Sequence, residues 1–403
     1  MELKQAVILA GGRGERLMPF TANNPKPMIP INGKPFLEHL IELLKKNKIK
    51  EVVILTGYLG EKIEKYFGNG SKFGIKIKYS YLPLKNEKGE ENESGLRIKN
   101  AEKLLDNKFL LIYCDNYWPL QLEKIKKFYS GKKADVSVVA YSNKDNSTKN
   151  NILTDGEGYV TKYDRSRKDK NLNGVEIGFF IINKKILKLF PKQNFHFERD
   201  ILPQLISKKQ VSGYLTDNKY YSIGDAERVK ATEKFLTPKK IIFLDRDGTI
   251  NKKAPQGDYI KKWSEFEFLP GVVEAIKNLC DKGYDIYLIT NQSGIARGMM
   301  TKKDLDLIHQ KMQAELAKNG GKIKAIYACL HGWDDGCDCR KPKPGLLFQA
   351  ARENYLDLTK TIFIGDDERD MQAGQAAGCK TILIDNKKNL LAVSKKIYRY
   401  AKI

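Results

Sequence analysis

The chain is 403 residues long, 41% hydrophobic and 30% charged, with a formal net charge of +23 at pH 7. No apolar run reaches the ~18 residues of a membrane-spanning helix, and Met1-Glu2-Leu3-Lys4 lacks the basic and apolar regions of a secretory signal. A cytoplasmic protein of two or three domains is therefore expected. The lysine excess suits anionic ligands, but no nucleic-acid-binding module accompanies it, so the expected partners are small phosphorylated molecules, with no nucleic acid and no membrane.

Gln5–Ala10 reads as a buried strand that runs into Gly11-Gly12-Arg13-Gly14-Glu15-Arg16-Leu17. Glycines after a first strand let the backbone approach a phosphate chain, whose oxygens the following amides can bind. Arg16 and the Lys26 of Pro25-Lys26-Pro27-Met28 add two cations for a triphosphate. An amphipathic helix is predicted near 37–46 and a second strand at Val52–Leu55. A third strand, Phe109–Cys114, ends in Asp115, a natural Mg2+ ligand. Residues 85–95 are polar and without period, a surface loop or a lid, and a glycine-flanked strand is read at 173–182.

The glycine loop, Pro25-Lys26-Pro27-Met28 with Gly33-Lys34-Pro35, and Asp115 together resemble the sugar-1-phosphate nucleotidyltransferases over about residues 1–235. By that resemblance Gly11, Gly12, Arg13 and Gly14 wrap a nucleoside triphosphate, Arg16 and Lys26 stabilise the α-phosphate as pyrophosphate leaves, and Asp115 holds Mg2+. Three departures stand out. Ser222, in Tyr221-Ser222-Ile223-Gly224-Asp225, replaces the family's second metal-binding aspartate. The family's sugar-phosphate Glu-Lys-Pro is not recognisable; Tyr163–Lys168 offers cations without the pattern. Glu93–Lys99 is closer to the cytidylyltransferase-like branch, so GTP and CTP both stay open.

A helix at 226–235 is broken by Leu236-Thr237-Pro238-Lys239-Lys240, a short linker. Ile241–Leu244 is then a buried strand that delivers Asp245 and Asp247 at its C-terminal end, where open α/β sheets place ligands. A helix at 272–282 and a strand at 284–289 lead to Thr290 and Asn291, whose hydroxyl and amide can bind phosphate oxygens. Helix, strand and helix follow near 303–319, 325–328 and 345–353, and the strand 361–364 ends in Gly365-Asp366-Asp367, with Asp370 beyond. Such alternation predicts a doubly wound parallel sheet. Three of the six cysteines crowd into Cys329, Cys337 and Cys339, and with His331 they form a closed tetrahedral donor set for structural Zn2+ rather than disulfides. His39, His196 and His309 have no partner motif and read as surface or helix-packing residues; the basic tail from 386 reads as a packing helix.

The paired aspartates, Thr290, Arg340-Lys341 and Asp366 resemble the haloacid-dehalogenase-type phosphatases over about residues 240–387. By that resemblance Asp245 is the nucleophile that forms an aspartyl phosphate, and Asp247 protonates the leaving alcohol and then activates water. Thr290, Asn291, Arg340 and Lys341 would bind the phosphoryl group, and Asp245, Asp366 and the Asp247 carbonyl would hold Mg2+. The zinc loop with Thr290–Gly298 resembles the heptose 1,7-bisphosphate phosphatases and the related histidinol phosphatases, although Asp367 stands where the former often carry lysine.

The expected architecture is α/β: a Rossmann-like nucleotidyltransferase-type domain over 1–236, a linker at 237–240, a phosphatase domain with a zinc loop over 241–387, and a tail over 388–403. The expected function is consecutive: a heptose 1,7-bisphosphate loses its 7-phosphate, and the heptose 1-phosphate is joined to a nucleotide on the way to a surface polysaccharide. A phosphatase–cytidylyltransferase pair acting on another sugar or polyol phosphate, or a histidinol-type phosphatase with a degenerate nucleotide lobe, are the alternatives.

Overall fold

The computed structural model describes residues 2–401. The chain folds as two compact units, Met1–Leu236 and Thr237–Ile403.

The first unit is built on a seven-stranded sheet. In chain order its strands are β1 (Gln5–Ala10), β2 (Glu51–Thr56), β3 (Lys76–Tyr81), β4 (Lys108–Tyr113), β5 (Val136–Tyr141), β6 (Val175–Asn183) and β7 (Val211–Thr216). Their spatial order is β7-β5-β6-β4-β1-β2-β3. The central strand β1 pairs in parallel with β2 and β4, so Ala6, Val7 and Ile8 are covered on both faces and read as an unbroken apolar run. The strand β6 runs antiparallel to β4 and β5. Between β5 and β6 the chain makes only a small ribbon, Ile152–Thr154 against Val160–Tyr163, and no crossover helix. Without that helix the strand must return in the opposite direction. The helix α1 (Phe36–Lys46) buries Phe36, Leu37, Leu40, Ile41 and Leu44, the 3.6-residue face that its sequence predicts.

The second unit carries a five-stranded, all-parallel sheet. Its strands are β8 (Ile241–Leu244), β9 (Asp285–Asn291), β10 (Ala325–Cys329), β11 (Ile362–Gly365) and β12 (Lys380–Leu383), in the order β10-β9-β8-β11-β12. The helices α2 (Val272–Asp281), α3 (Lys302–Lys318), α4 (Gly345–Asn354) and α5 (Glu368–Ala377) alternate with them. One apolar cluster, with Ile242, Leu244, Ile276 and Ile308, lies on one face of the sheet, and another, with Phe243, Ile289, Leu347 and Phe363, on the other. β8 sits in the middle, so the residues that leave it are flanked by those leaving β9 and β11. That placement is what brings three separate motifs to one spot. Among the described residues, no helix is long and apolar enough to cross a membrane.

Candidate active sites

In the first unit a cleft of about 830 Å³ opens at the C-terminal ends of β1 and β4, within the range that takes a sizeable small molecule. Gly11, Gly12, Arg13, Gly14, Arg16 and Lys26 all line it. Gly14 has φ +71°, and a Cβ there would stand 2.9 Å from the Cβ of Lys26, so the turn requires glycine. Gly11 packs on the Arg97 guanidinium, which a Cβ would meet at 2.4 Å. Arg97 is itself buried and donates to the carbonyls of Thr56, Leu82, Pro83 and Asn92. It therefore braces the backbone under the glycine loop with four of its five N–H bonds.

Lys26 Nζ donates to Asp115 Oδ2 at 2.6 Å. Ser222 pairs with Asn116 on a short ribbon, and the Ile223 amide donates to the Asp115 carbonyl. Position 222 thus lies beside Asp115 but brings a hydroxyl, while Asp225 pairs with Arg228 at 3.2 Å. Asp115 is then the carboxylate available on this ribbon for a cation, and hard oxygen chemistry fits Mg2+ there.

Two acids lining this cleft, Glu198 buried and Glu176 half-buried, were not legible in the sequence. Burial pushes Glu176 up to about 7, against the Gly178 amide that donates to it, and Asp115 adds to the rise. Burial likewise pushes Glu198 up to about 7, although Ser94 donates to it at 3.2 Å. His196 Nδ1 lies 2.8 Å from Glu198 Oε2, so this histidine lines the cleft rather than packing a helix. Acids with that poise can donate to hydroxyls as well as accept from them, as polyol recognition requires. No motif marks them, because each lies on its own strand or turn far from the glycine loop in sequence.

In the second unit β8 delivers Asp245 and Asp247, β9 delivers Thr290 and Asn291, and β11 delivers Asp366. Gly248, at φ +94°, allows the turn to pass Asp366; a Cβ would come within 2.3 Å of its carboxylate. Lys341 Nζ donates to Asp245 Oδ1 at 2.6 Å and to the Ile289 carbonyl at 2.9 Å, and pairs with Asp370 Oδ1 at 2.6 Å. Burial works to discharge this lysine, but Asp245 and Asp370 override it and hold its pKa above the ordinary value. Burial pushes Asp245 up to about 6, with Lys341 opposing and Asp370 adding to the rise. The Lys341 ammonium at 2.6 Å favours the ionised carboxylate that a nucleophile requires.

The Asn291 side chain bonds the backbone of Lys341. Its Oδ1 accepts from the Lys341 amide at 3.0 Å and its Nδ2 donates to the Lys341 carbonyl at 3.1 Å, so it fixes the backbone that carries the lysine. One guanidinium nitrogen of Arg340, Nη1, is buried without a hydrogen-bond partner, a donor suited to an anion. Asp367 caps α5 and pairs with Arg369 at 2.8 Å.

The Asp247 carboxylate is held by Arg246, Asn251 and Gln292. Burial works to raise it, yet Arg246 and these donors leave it below the ordinary carboxylate range. His309, expected only to pack a helix, meets Arg246 Nη1 at 3.2 Å, and burial and that cation push it down to about 3.

Among the described residues, two groups of three or more donors can converge on one metal ion. Asp245, Asp366 and Asp370 offer carboxylate oxygens within 4.8 Å of one another, a donor set for Mg2+. Asp370 thus joins Asp245 and Asp366 in this group, and Asp247 contributes no carboxylate to it. Cys329, His331, Cys337 and Cys339 form the other group. Their Sγ and Nδ1 atoms are 3.1–3.7 Å apart along the measured edges. Zinc–ligand bonds of roughly 2.0–2.3 Å give tetrahedral edges of about 3.3–3.8 Å, so the cage fits Zn2+.

Comparison with known proteins agrees with both halves. The model of the nucleotidyl transferase family matches residues 5–294, and that of the polynucleotide kinase 3 phosphatase family matches residues 240–396. The D-glycero-beta-D-manno-heptose-1,7-bisphosphate 7-phosphatase of Pseudomonas aeruginosa is 40% identical over 157 residues, 39% of this chain and 87% of that protein. The D-glycero-alpha-D-manno-heptose-1,7-bisphosphate 7-phosphatase of Campylobacter jejuni is 43% identical over 147 residues, 36% of this chain and 83% of that protein. A solved structure of D,D-heptose 1.7-bisphosphate phosphatase from B. bronchiseptica, complexed with magnesium and phosphate, is 38% identical with a TM-score of 0.38; the match spans 40% of this chain and 99% of that one. The chain belongs to the nucleotidyl transferase family and, through its C-terminal unit, to the family of the heptose-1,7-bisphosphate 7-phosphatases.

Proposed function

We propose that one chain carries out two consecutive steps of nucleotide-sugar synthesis: removal of the 7-phosphate from a D-glycero-D-manno-heptose 1,7-bisphosphate, then transfer of a nucleotidyl group to the resulting heptose 1-phosphate. The observation that carries the first step is the buried contact between Asp245 and Lys341, flanked by Asp366 and Asp370 at the ends of parallel strands. In the phosphatase unit an Asp245 oxygen attacks phosphorus while the bond to the sugar oxygen breaks. Asp247, ionised at rest beside Arg246, takes up a proton from solvent as the dianionic ester binds and gives it to that leaving oxygen. The Asp247 carboxylate then takes a proton from water as the water oxygen attacks phosphorus, the aspartyl bond breaks, and orthophosphate leaves with Asp245 restored. Lys341, Thr290 and Arg340 hold the phosphoryl oxygens, with Asn291 positioning Lys341. Mg2+ held by Asp245, Asp366 and the Asp247 carbonyl, with Asp370 beside them, would offset the repulsion between carboxylate and phosphate.

In the transferase unit the sugar phosphate oxygen attacks the α-phosphorus of the triphosphate and the bond to pyrophosphate breaks. Lys26 and Arg16 neutralise the charge that develops, and the Gly11–Gly14 amides cradle the remaining oxygens. Asp115 would hold Mg2+ there, and Glu176 and Glu198 suit the sugar hydroxyls. The zinc cage is structural: all four positions are protein donors, so it shapes the loop that ends in Arg340 and Lys341. The partners are small phosphorylated molecules, and the cytoplasm is the compartment that supplies them for a surface polysaccharide.

The relatives named above act on different anomers, so both anomers of the bisphosphate are the test substrates, with each common nucleoside triphosphate. Orthophosphate release from one anomer, followed by pyrophosphate release with GTP or CTP, is the expected result. Orthophosphate release without pyrophosphate release for any triphosphate and sugar 1-phosphate would overturn the transferase half.

A further inference from the structure

Gln292 lies directly after the strand that carries Thr290 and is only 1% exposed. Its Nε2 donates to Asp247 Oδ2 at 2.8 Å and to Thr290 Oγ1 at 2.8 Å. Its Oε1 accepts from Arg246 Nη2 at 3.1 Å. Charge fixes this orientation of the amide: the reversed one would set an oxygen against a carboxylate and an NH2 against a guanidinium. Both N–H bonds and the carbonyl are thus spent inside the protein.

The consequence for its two neighbours follows from counting donors. The Thr290 hydroxyl has one proton, and Gln292 already fills an acceptor position on its oxygen. The hydroxyl proton is therefore free to point at a phosphoryl oxygen. The Asp247 carboxylate accepts at Oδ1 from Asn251 at 2.8 Å and from Arg246 Nη2 at 3.0 Å and Nε at 3.2 Å, and at Oδ2 from Arg246 Nη2 at 2.9 Å and Gln292 at 2.8 Å. Arg246 is wholly buried and in turn meets His309. Each oxygen thus has a guanidinium contact and one neutral amide partner, Asn251 at Oδ1 and Gln292 at Oδ2, so Gln292 is the amide that shares the placement of Oδ2.

We propose that Gln292 is a positioning residue that links phosphoryl binding at Thr290 to the placement of Asp247 Oδ2 against the leaving oxygen. This rests on the phosphatase reading above and goes beyond it, because it assigns discrimination by the basicity of the leaving group to a residue that touches neither substrate nor metal. Proton donation to a leaving group contributes typically 10²–10⁴-fold, and a misplacement of the order of 1 Å can cost about 10²-fold. An alkoxide leaving group needs that proton, whereas a nitrophenolate scarcely does.

The test compares kcat/KM for heptose 1,7-bisphosphate and for p-nitrophenyl phosphate in the full-length wild type, in Gln292→Met and in Gln292→Glu. The quantity kcat/KM reports events up to phosphoryl transfer and leaves out hydrolysis of the aspartyl phosphate. Both rates fall in the variants, because Thr290 also loses its partner. The expected result is that the sugar-to-aryl ratio falls by about tenfold or more in each. An unchanged ratio in either folded variant overturns the proposal, since a merely structural defect lowers both substrates alike. Failure of both variants to fold, read by circular dichroism, would also overturn it by making Gln292 a packing residue. A wild-type chain that cleaves neither ester would instead overturn the phosphatase reading itself.

Discussion

Glu198 shows how one residue can be silent in sequence and still shape a site. It is 2% exposed and held near pH 7 by burial. The folded chain therefore keeps a proton that the unfolded chain releases near pH 4.5. Its contribution to stability is complete below that pH and is lost as pH rises through about 7. Replacement by glutamine removes the penalty. Urea unfolding should show Glu198→Gln gaining on the wild type by on the order of 2–3 kcal/mol between pH 5 and pH 8, and a difference independent of pH would contradict the account. Asp245, Asp247, Thr290 and Lys341 could be found in the sequence because each ends an apolar strand or follows a cysteine cluster. Asn291 illustrates the limit. Its residue type suits a phosphate, but both of its polar atoms are spent on Lys341. Asp370 and Gln292 act through contacts across the sheet, which no local pattern displays.

At the scale of the element, strands buried on both faces were legible. Ile241–Leu244 and Phe109–Cys114 are runs that only a sheet interior accommodates. β3, Lys76–Tyr81, reads Lys-Ile-Lys-Tyr-Ser-Tyr at a sheet edge, with only Ile77 and Ser80 buried, and gives no such run. β12, Lys380–Leu383, is another edge strand of four residues with one buried side chain. The antiparallel return of β6 depends on a missing crossover helix, and a missing element is hard to see in composition. The cysteine loop was legible because four donors fall within eleven residues of β10 and its exit. It leads directly to Arg340 and Lys341. Structural zinc can supply on the order of 10 kcal/mol of folding energy, so its loss should release that lysine from Asp245. Elemental analysis is expected to find one zinc per chain. Cys339→Ser should lose it and lower orthophosphate release by at least about tenfold, with pyrophosphate release unchanged. A zinc-free wild type of full phosphatase activity would contradict this.

At the scale of the whole molecule, the groups proposed for each reaction fall within one compact unit. The glycine loop, Lys26 and Asp115 all belong to the first, and Asp245, Thr290, Lys341 and Asp366 all belong to the second. The net charge of +23 fits a chain whose expected substrates are anionic, with lysines also paired to surface acids such as Glu157 and Asp306. Resemblance at the level of motifs was sufficient to read two enzymes on one chain, whereas Glu176 and Glu198 of the cleft needed coordinates. Separate sites make a sharp prediction, best read by following orthophosphate and pyrophosphate in one reaction mixture for Asp245→Asn and Lys26→Met. Asp245→Asn should release no orthophosphate from the bisphosphate, yet release pyrophosphate from heptose 1-phosphate at the wild-type rate. Lys26→Met should do the reverse. Loss of both products from either variant would contradict the account of two independent sites.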